Sequence, residues 1–239
     1  MPHVLRSQDL DTFVERNASP SGYWGNMRAY TVSLLKAWFG DATTEENDYC
    51  FGYLPRLTGD HSIYPATLNM IDRKVKGFFV MGQNPAVGSA NGKLQRLALA
   101  NLDWLVVRDL VETEPASFWY DSPEVETGEL KPEEIGTEVF FLPAASHVEK
   151  EGTFTNTQRL LQWRHKAVDP KGDCRSELWF MYHLGKKVRE KLADSGDEKD
   201  RPIRNLTWNY PTETENGIEE PDAEAVLREI NGYDPDGTP

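Results

Sequence analysis

The loop between the first two apolar runs is the part of this sequence best suited to ligand chemistry. Gly82, Gly88 and Gly92 punctuate it, and Gln83 and Asn84 follow the first glycine. Backbone N–H groups of such a loop can face a pyrophosphate, helped by the helix that follows. The asparagine side chain offers a donor and an acceptor together. The spacing is not GxGxxG, however, and a plain turn between a strand and a helix explains the same residues equally well.

Three charged residues are further candidates for binding. Asp109 ends the second apolar run, where α/β dinucleotide folds place an acid that binds a ribose or a base. Arg108 beside it is suited to neutralising this acid or to meeting a phosphate. Lys150 lies in the charged run Glu149–Gly152 and would act as a point-charge phosphate ligand. A solvated strand end and a surface turn are the competing interpretations.

Motifs for self-sufficient catalysis are absent from the sequence. There is no GxSxG and no cysteine near a histidine, and the two cysteines, Cys50 and Cys174, form no CxxC. An iron–sulfur cluster normally takes four thiolates. None of the five histidines has a partner at zinc-ligand spacing. We therefore assign neither a catalytic residue nor a metal ligand to this chain.

Apolar runs predict three strands that position the candidates: Gly77–Met81, Trp104–Arg108 and Glu138–Leu142. The first two runs do not alternate with polar residues, which is typical of parallel strands buried on both faces. The predicted fold is α/β and Rossmann-like, with a mostly parallel sheet flanked by helices on both faces and with irregular polar tails. A helix over Lys93–Leu102 joins the first two strands, and its inner side is predicted to carry Leu94, Leu97, Ala98 and Asn101.

The remaining segments give the predicted organisation. Residues 1–22 read as a lead-in, 23–192 as the Rossmann-like domain, and 193–239 as an irregular tail with one short helix at Ala223–Ile230. Within the domain, the spacing of apolar residues predicts a helix over 23–39 that ends at Gly40. The Pro-, Gly- and Glu-rich stretch 121–136 reads as a surface insertion that contributes little to the core.

The charge and the apolar content of the sequence argue against nucleic acid as a partner and against a membrane span. The 239 residues carry a formal net charge of −13, which repels phosphate backbones and argues against nucleic acid as a partner. No apolar run approaches the roughly 20 residues that a bilayer span needs. The N-terminal residues lack the apolar core of a signal peptide.

Together these motifs resemble a known family. The stretches KGFFVMGQNPAVGSAN, LDWLVVRDLVETEPASFW and TEVFFLPAASHVEKEGTFTNTQRLLQWR are similar to the large subunit of molybdenum- or tungsten-dependent formate dehydrogenases, in the dimethyl sulfoxide reductase family. The resemblance covers roughly residues 23 to 232 and implies a Rossmann-like half that holds one molybdopterin guanine dinucleotide.

The resemblance also implies roles for seven residues. Gly82, Gln83 and Asn84 would lie against the dinucleotide, and Arg108 and Asp109 near its guanosine end. Lys150 matches a lysine that reaches the cofactor. Glu177 stands where many relatives carry aspartate, and this departure keeps the charge on a longer arm. The EGTFTN segment is expected near the cofactor and the substrate funnel.

For the parent protein, the resemblance implies oxidation of formate to carbon dioxide in anaerobic respiration, with electrons leaving through iron–sulfur clusters. The expected partners are the remaining domains of the large subunit, including a C-terminal domain after the tail, and an iron–sulfur subunit. The expected location is periplasmic. The chain is expected to be an interior piece that has no activity alone. No cofactor is assigned to the isolated chain, and it is expected to be able to self-associate. A separately encoded, non-catalytic module that docks on a molybdoenzyme is the alternative, and a nicotinamide dehydrogenase domain is a weaker one.

Overall fold

The structure is a computed structural model that describes residues 9–20, 25–56, 59–155, 161–215 and 217–231. Short 3-10 turns at Gly40–Ala42, Asp48–Tyr53, Pro132–Glu134 and Glu198–Asp200 supplement the regular elements. The helices are α1 (Leu10–Asn17), α2 (Met27–Phe39), α3 (Ile63–Ile71), α4 (Pro85–Gly88), α5 (Gly92–Leu99), α6 (Glu114–Ser117), α7 (Pro123–Glu126), α8 (Glu177–Lys191), α9 (Arg201–Asn205) and α10 (Ala223–Asn231). The strands are β1 (Gly77–Met81), β2 (Trp104–Asp109), β3 (Glu138–Pro143), β4 (Gly152–Thr155), β5 (Leu161–Arg164), β6 (Thr212–Glu215) and β7 (Ile218–Pro221).

The chain divides into two compact units. The sheet unit comprises Gly59–Glu151 and His165–Glu177, and the helical unit comprises Met1–Thr58, Gly152–Arg164 and Leu178–Pro239. The predicted domain 23–192 spans parts of both units. Its assignment as one dinucleotide-binding domain stays a prediction.

The sheet unit is built on three parallel strands in the order β1-β2-β3. Met81, Arg108 and Leu142 are register partners, so the carboxyl ends of all three strands meet at one edge. This arrangement confirms the predicted mixed α/β fold with a parallel sheet. Each strand is an apolar run that ends at a residue suited to leaving a sheet, such as Gly82 after β1 or Pro143 at the end of β3.

One face of this sheet carries the core of the unit. Val80, Leu105 and Val107 lie in one buried cluster with side chains of α3 and α5 and of the β2–β3 connection. Strands in sequential order with right-handed crossovers place both connections on the same side of a sheet, which explains this asymmetry. On the opposite face Phe79 and Phe140 are each 42% exposed. For the sheet unit, the predictions that β1 is buried on both faces and that helices cover both faces of the sheet are therefore wrong, whereas no residue of β2 is exposed.

The stretch 121–136 is part of the core-covering layer. Leu130 and Ile135 pack against the buried cluster, and Glu124 in α7 is only 4% exposed. The prediction of a surface segment holds for most of its residues, which are exposed, but it is wrong for Ser122 and Glu124, which are buried. This segment is the crossover from β2 to β3, and a crossover packs part of its length against the sheet. The acidic composition of this segment predicts an exposed loop. Glu124 is nevertheless buried, because its charge is paired with Arg96.

The helical unit has its own core, formed by α1, α2 and the turn after α2. Leu10, Phe13 and Phe51 are fully buried there. Helix α2 ends at Gly40 with a positive φ of 49°, as the sequence predicts. The tail has more structure than predicted, because it contains α9 and the antiparallel hairpin of β6 and β7 in addition to α10.

Among the residues that the structure describes, no helix combines the length and the apolar character needed to cross a bilayer.

Candidate functional site

The turn after β1 begins with a backbone conformation that favours glycine. Gly82 has a φ of +62°, and its N–H donates to the carbonyl of Arg108 at 2.9 Å, which continues the β1–β2 ladder by one residue. Among the described residues, none comes within 4 Å of a Cβ built at this position. Gly82 therefore reverses the chain next to open space, with the exposed Gln83 beside it.

Asn84 is the most informative side chain of this turn. Its backbone carbonyl accepts from the N–H of Gly88 at 2.7 Å, and its Nδ2 donates to Oε2 of Glu114 at 2.5 Å. Within the described part of the chain, its Oδ1 is shielded from solvent and has no hydrogen-bond partner. A buried amide oxygen without a donor is costly. A ligand that supplies a donor here would remove that cost.

Glu114 is a further candidate residue, which the sequence analysis does not single out. It opens α6 after β2, and its own backbone N–H and then the Asn84 amide lower the pKa of its carboxyl below the ordinary value. The carboxylate is therefore ionised at neutral pH and faces the same turn as Asn84. In the sequence, Glu114 is marked only by its position five residues after Asp109, which ends the strand. Hydrophobic periodicity does not distinguish it from other acidic residues.

Asp109 lies at the end of β2, as predicted. Its Oδ1 accepts from the N–H of Leu110 at 2.8 Å, and its Oδ2 is 3.4 Å from the hydroxyl of Thr113. Each carboxylate oxygen can accept two hydrogen bonds, so these contacts orient the group and leave capacity for a ligand.

Arg108 has an anchoring role that the sequence does not reveal. Successive side chains of a strand point to opposite faces, and the Arg108 side chain is 2% exposed. Its Nη2 donates to the carbonyls of Arg175 at 2.7 Å and Ser176 at 3.3 Å. Burial lowers the pKa of this guanidinium, and nearby Glu177 opposes the shift. Arg108 thus fixes the segment that leads into α8, and its predicted contact with a cofactor stays a prediction.

Lys150 and Glu177, two of the predicted residues, form an ion pair. The Lys150 Nζ lies 2.5 Å from Oε2 of Glu177 and 3.3 Å from the carbonyl of Ala145, just beyond β3. The turn that carries Lys150 is closed by Glu149, whose carboxylate accepts from the N–H of Ser146 at 2.8 Å. A positive charge is therefore held near the carboxyl end of the third strand.

The structure thus gathers the predicted residues into two groups at one sheet edge. In the first group, Asn84 and Glu114 follow β1 and β2, and Asp109 is the last residue of β2. In the second group, Lys150 and Glu177 lie beyond β3, next to the Ser176 carbonyl that accepts from Arg108. The EGTFTN segment enters β4, which belongs to the helical unit, and residues 156–160 lie outside the described residues. In the described ranges, no group of three His, Cys, Asp or Glu side chains is placed to hold a metal ion.

Comparison with protein families gives one match. Residues 140–187 match the family model described as molybdopterin oxidoreductase. This range includes Lys150 and Glu177, whereas the turn after β1 and the end of β2 lie outside it.

Comparison with curated proteins gives matches over nearly the whole chain. The chain is 38% identical over 89% of its length to formate dehydrogenase 2 subunit alpha (cytochrome c-553) of Nitratidesulfovibrio vulgaris Hildenborough. It is 34% identical over 93% of its length to formate dehydrogenase subunit alpha of Megalodesulfovibrio gigas. It is 30% identical over 94% of its length to the nitrate-inducible formate dehydrogenase major subunit of Escherichia coli K12.

The chain covers 20%, 21% and 22% of these three relatives, respectively, or about one fifth of their length. The specific motifs quoted above, the matching family model and these relatives agree with one another. The chain belongs to the family of formate dehydrogenase alpha subunits, within the molybdopterin oxidoreductases.

Proposed function

We propose that the carboxyl edge of the β1-β2-β3 sheet holds the guanine dinucleotide arm of a molybdopterin cofactor in a formate dehydrogenase large subunit. The observation that carries the proposal is the buried Oδ1 of Asn84, which within the described residues has no donor, at the edge where α/β folds bind nucleotides. Asp109 and Glu114 supply carboxylates for the donors of a guanine or a ribose, and Lys150 supplies a charge for a phosphate.

These residues fit the cofactor by their chemistry. Guanine presents donors along the edge that pairs with other bases, and a carboxylate accepts them. The open space at Gly82 lets a ligand approach the backbone. When bound, the cofactor supplies two-electron chemistry at its molybdenum or tungsten ion, and the residues of this chain bind and orient it.

The proposal for the parent protein follows from the family. The parent oxidises formate to carbon dioxide in anaerobic respiration, on the periplasmic side, and passes electrons to iron–sulfur clusters. The remaining domains of the large subunit and an iron–sulfur subunit are its partners. Each of these statements rests on relatives that are about five times longer than this chain.

The test is a calorimetric titration of the chain with GDP. Asn84→Ala and Asp109→Ala are each expected to weaken binding by about 5- to 30-fold, the value of one or two hydrogen bonds. Asn101→Ala is the matched control, because Asn101 precedes β2 at the opposite edge and bonds Leu97 and Arg73. Equal affinities for all four proteins, or no binding at millimolar GDP, would contradict the proposal.

A further inference from the structure

Arg96 joins three segments of the sheet unit through one guanidinium. Its Nε and Nη2 donate to the two carboxylate oxygens of Glu124 at 2.6 and 2.9 Å, and its Nη1 donates to the carbonyl of Ala86 at 2.6 Å. The arginine and glutamate side chains are 13% and 4% exposed. Bidentate pairing fixes the plane of a guanidinium, so the third donor has a fixed direction toward Ala86.

The segment held in this way is the turn that contains Asn84. Ala86 is fully buried in α4, two residues after Asn84, and α4 stands between β1 and α5. Gly92 allows the contact, because a Cβ at this position would lie 2.7 Å from the carbonyl oxygen of Ala86. The turn therefore packs directly against the first turn of α5, and Arg96 donates to the carbonyl of Ala86.

We propose that Arg96 and Glu124 are positioning residues of the nucleotide site: they hold the Asn84–Gly88 turn in the conformation that presents the Asn84 side chain. The inference rests on the proposed function for its ligand. Neither residue contacts the ligand, and both act through Ala86. A lysine cannot replace the arginine, because its single ammonium cannot bind both carboxylate oxygens in a fixed plane and also reach the Ala86 carbonyl.

Amide hydrogen exchange tests the mechanical part directly. The N–H of Gly88 donates to the carbonyl of Asn84, so its exchange reports opening of the turn, whereas the N–H of Val107 in β2 reports unfolding of the core. In Arg96→Lys we expect Gly88 to exchange at least about tenfold faster relative to Val107, as expected for loss of roughly 1.4 kcal/mol of local protection. Glu124→Gln should give a smaller change of the same sign.

GDP affinity is measured on the same proteins. Arg96→Lys and Glu124→Gln should bind GDP about threefold to tenfold more weakly, in the range expected for an indirect contact. Lys76→Gln is the control, because Lys76 lies in the same unit in an exposed ion pair with Asp103 and should change neither readout.

The outcomes separate the two claims. If wild type does not bind GDP, the proposed function and the nucleotide role of Arg96 both fail. If wild type binds GDP and Arg96→Lys matches it in affinity, or in the ratio of Gly88 to Val107 exchange, the inference about Arg96 alone is overturned. Faster exchange at Gly88 and Val107 in equal proportion would also overturn it, because that pattern is global destabilisation.

Discussion

The ammonium of Lys150 lies 2.5 Å from the carboxylate of Glu177, which is 27 residues later and opens α8. The Lys150 side chain is 19% exposed and the Glu177 side chain 46%. The pair therefore lies at the surface of the sheet unit, with the lysine better shielded from solvent than the glutamate. A phosphate and the Glu177 carboxylate are both negatively charged. If a phosphate binds Lys150 as proposed, the two groups therefore compete for its ammonium.

This competition predicts opposite effects for the two partners. Lys150→Gln should weaken GDP binding and Glu177→Gln should strengthen it, each by about two- to fivefold at low salt, as expected for a partly exposed charge. Calorimetry at two salt concentrations measures both effects, which should shrink at the higher one. Lys131→Gln removes an exposed pair with Glu134 elsewhere in the unit and should have no effect. Weaker binding in both Lys150→Gln and Glu177→Gln would show that the ion pair has only a structural role.

Gly82 and Gly88 form a matched test of the turn after β1. Neither position crowds a new Cβ among the described residues, but only Gly82 has a positive φ, of +62°. Gly82→Ala should therefore lower the free energy of unfolding by about 1–2 kcal/mol, while Gly88→Ala should change it by less than about 0.5 kcal/mol. Urea unfolding measures both, and equal effects would mean that the backbone at Gly82 is not held left-handed.

Gly185 in α8 reverses the usual effect of alanine in a helix. Glycine to alanine ordinarily stabilises a helix interior by about 1 kcal/mol, but a Cβ at Gly185 would lie 1.8 Å from the ring of Trp208. Gly185→Ala should instead destabilise the helical unit in urea unfolding. In a Trp208→Ala background the same change should become stabilising. An unchanged sign in that background would exclude the indole contact as the cause.

The ion pair of Glu124 should make the free energy of unfolding depend on pH in the acidic range. The hydrogen bond from Arg96 is the main reason that the pKa of this carboxyl is below its ordinary value of 4.5. A lowered pKa in the folded state gives stability that is complete above the ordinary pKa and is lost as the pH falls through the lowered one. The difference in urea stability between wild type and Glu124→Gln should therefore be constant near neutral pH and shrink below about pH 4.5. A difference that does not change with pH would contradict the ion pair.

The strands were predictable because their signals are local. The predicted bounds of β1 are those observed, and β2 and β3 each extend one residue further. Apolar runs with β-branched and aromatic residues, ended by Gly82 or Pro143, leave little choice of register or length. The meeting of Asn84 and Asp109 at one edge then follows from the parallel order alone.

Buried polar side chains account for much of what the sequence could not predict. The predicted inner face of α5 included Leu94 and Leu97, but the buried residues are Gln95, Ala98 and Leu99. Gln95 is buried because its Oε1 accepts from the hydroxyl of Thr67 at 3.1 Å. Arg108 and Glu124 are likewise buried through partners that lie 67 and 28 residues away. Hydrophobic periodicity cannot anticipate such pairs.

The most direct test of the nucleotide site is to map GDP onto the backbone by ¹⁵N NMR of the intact chain. We expect shifts confined to the carboxyl edge, at Gly82, Asn84, Asp109 and Lys150. Amides at the opposite edge, at Gly77, Trp104 and Glu138, should not shift. Shifts centred on that opposite edge, or none at saturating GDP, would contradict a nucleotide site at the carboxyl edge.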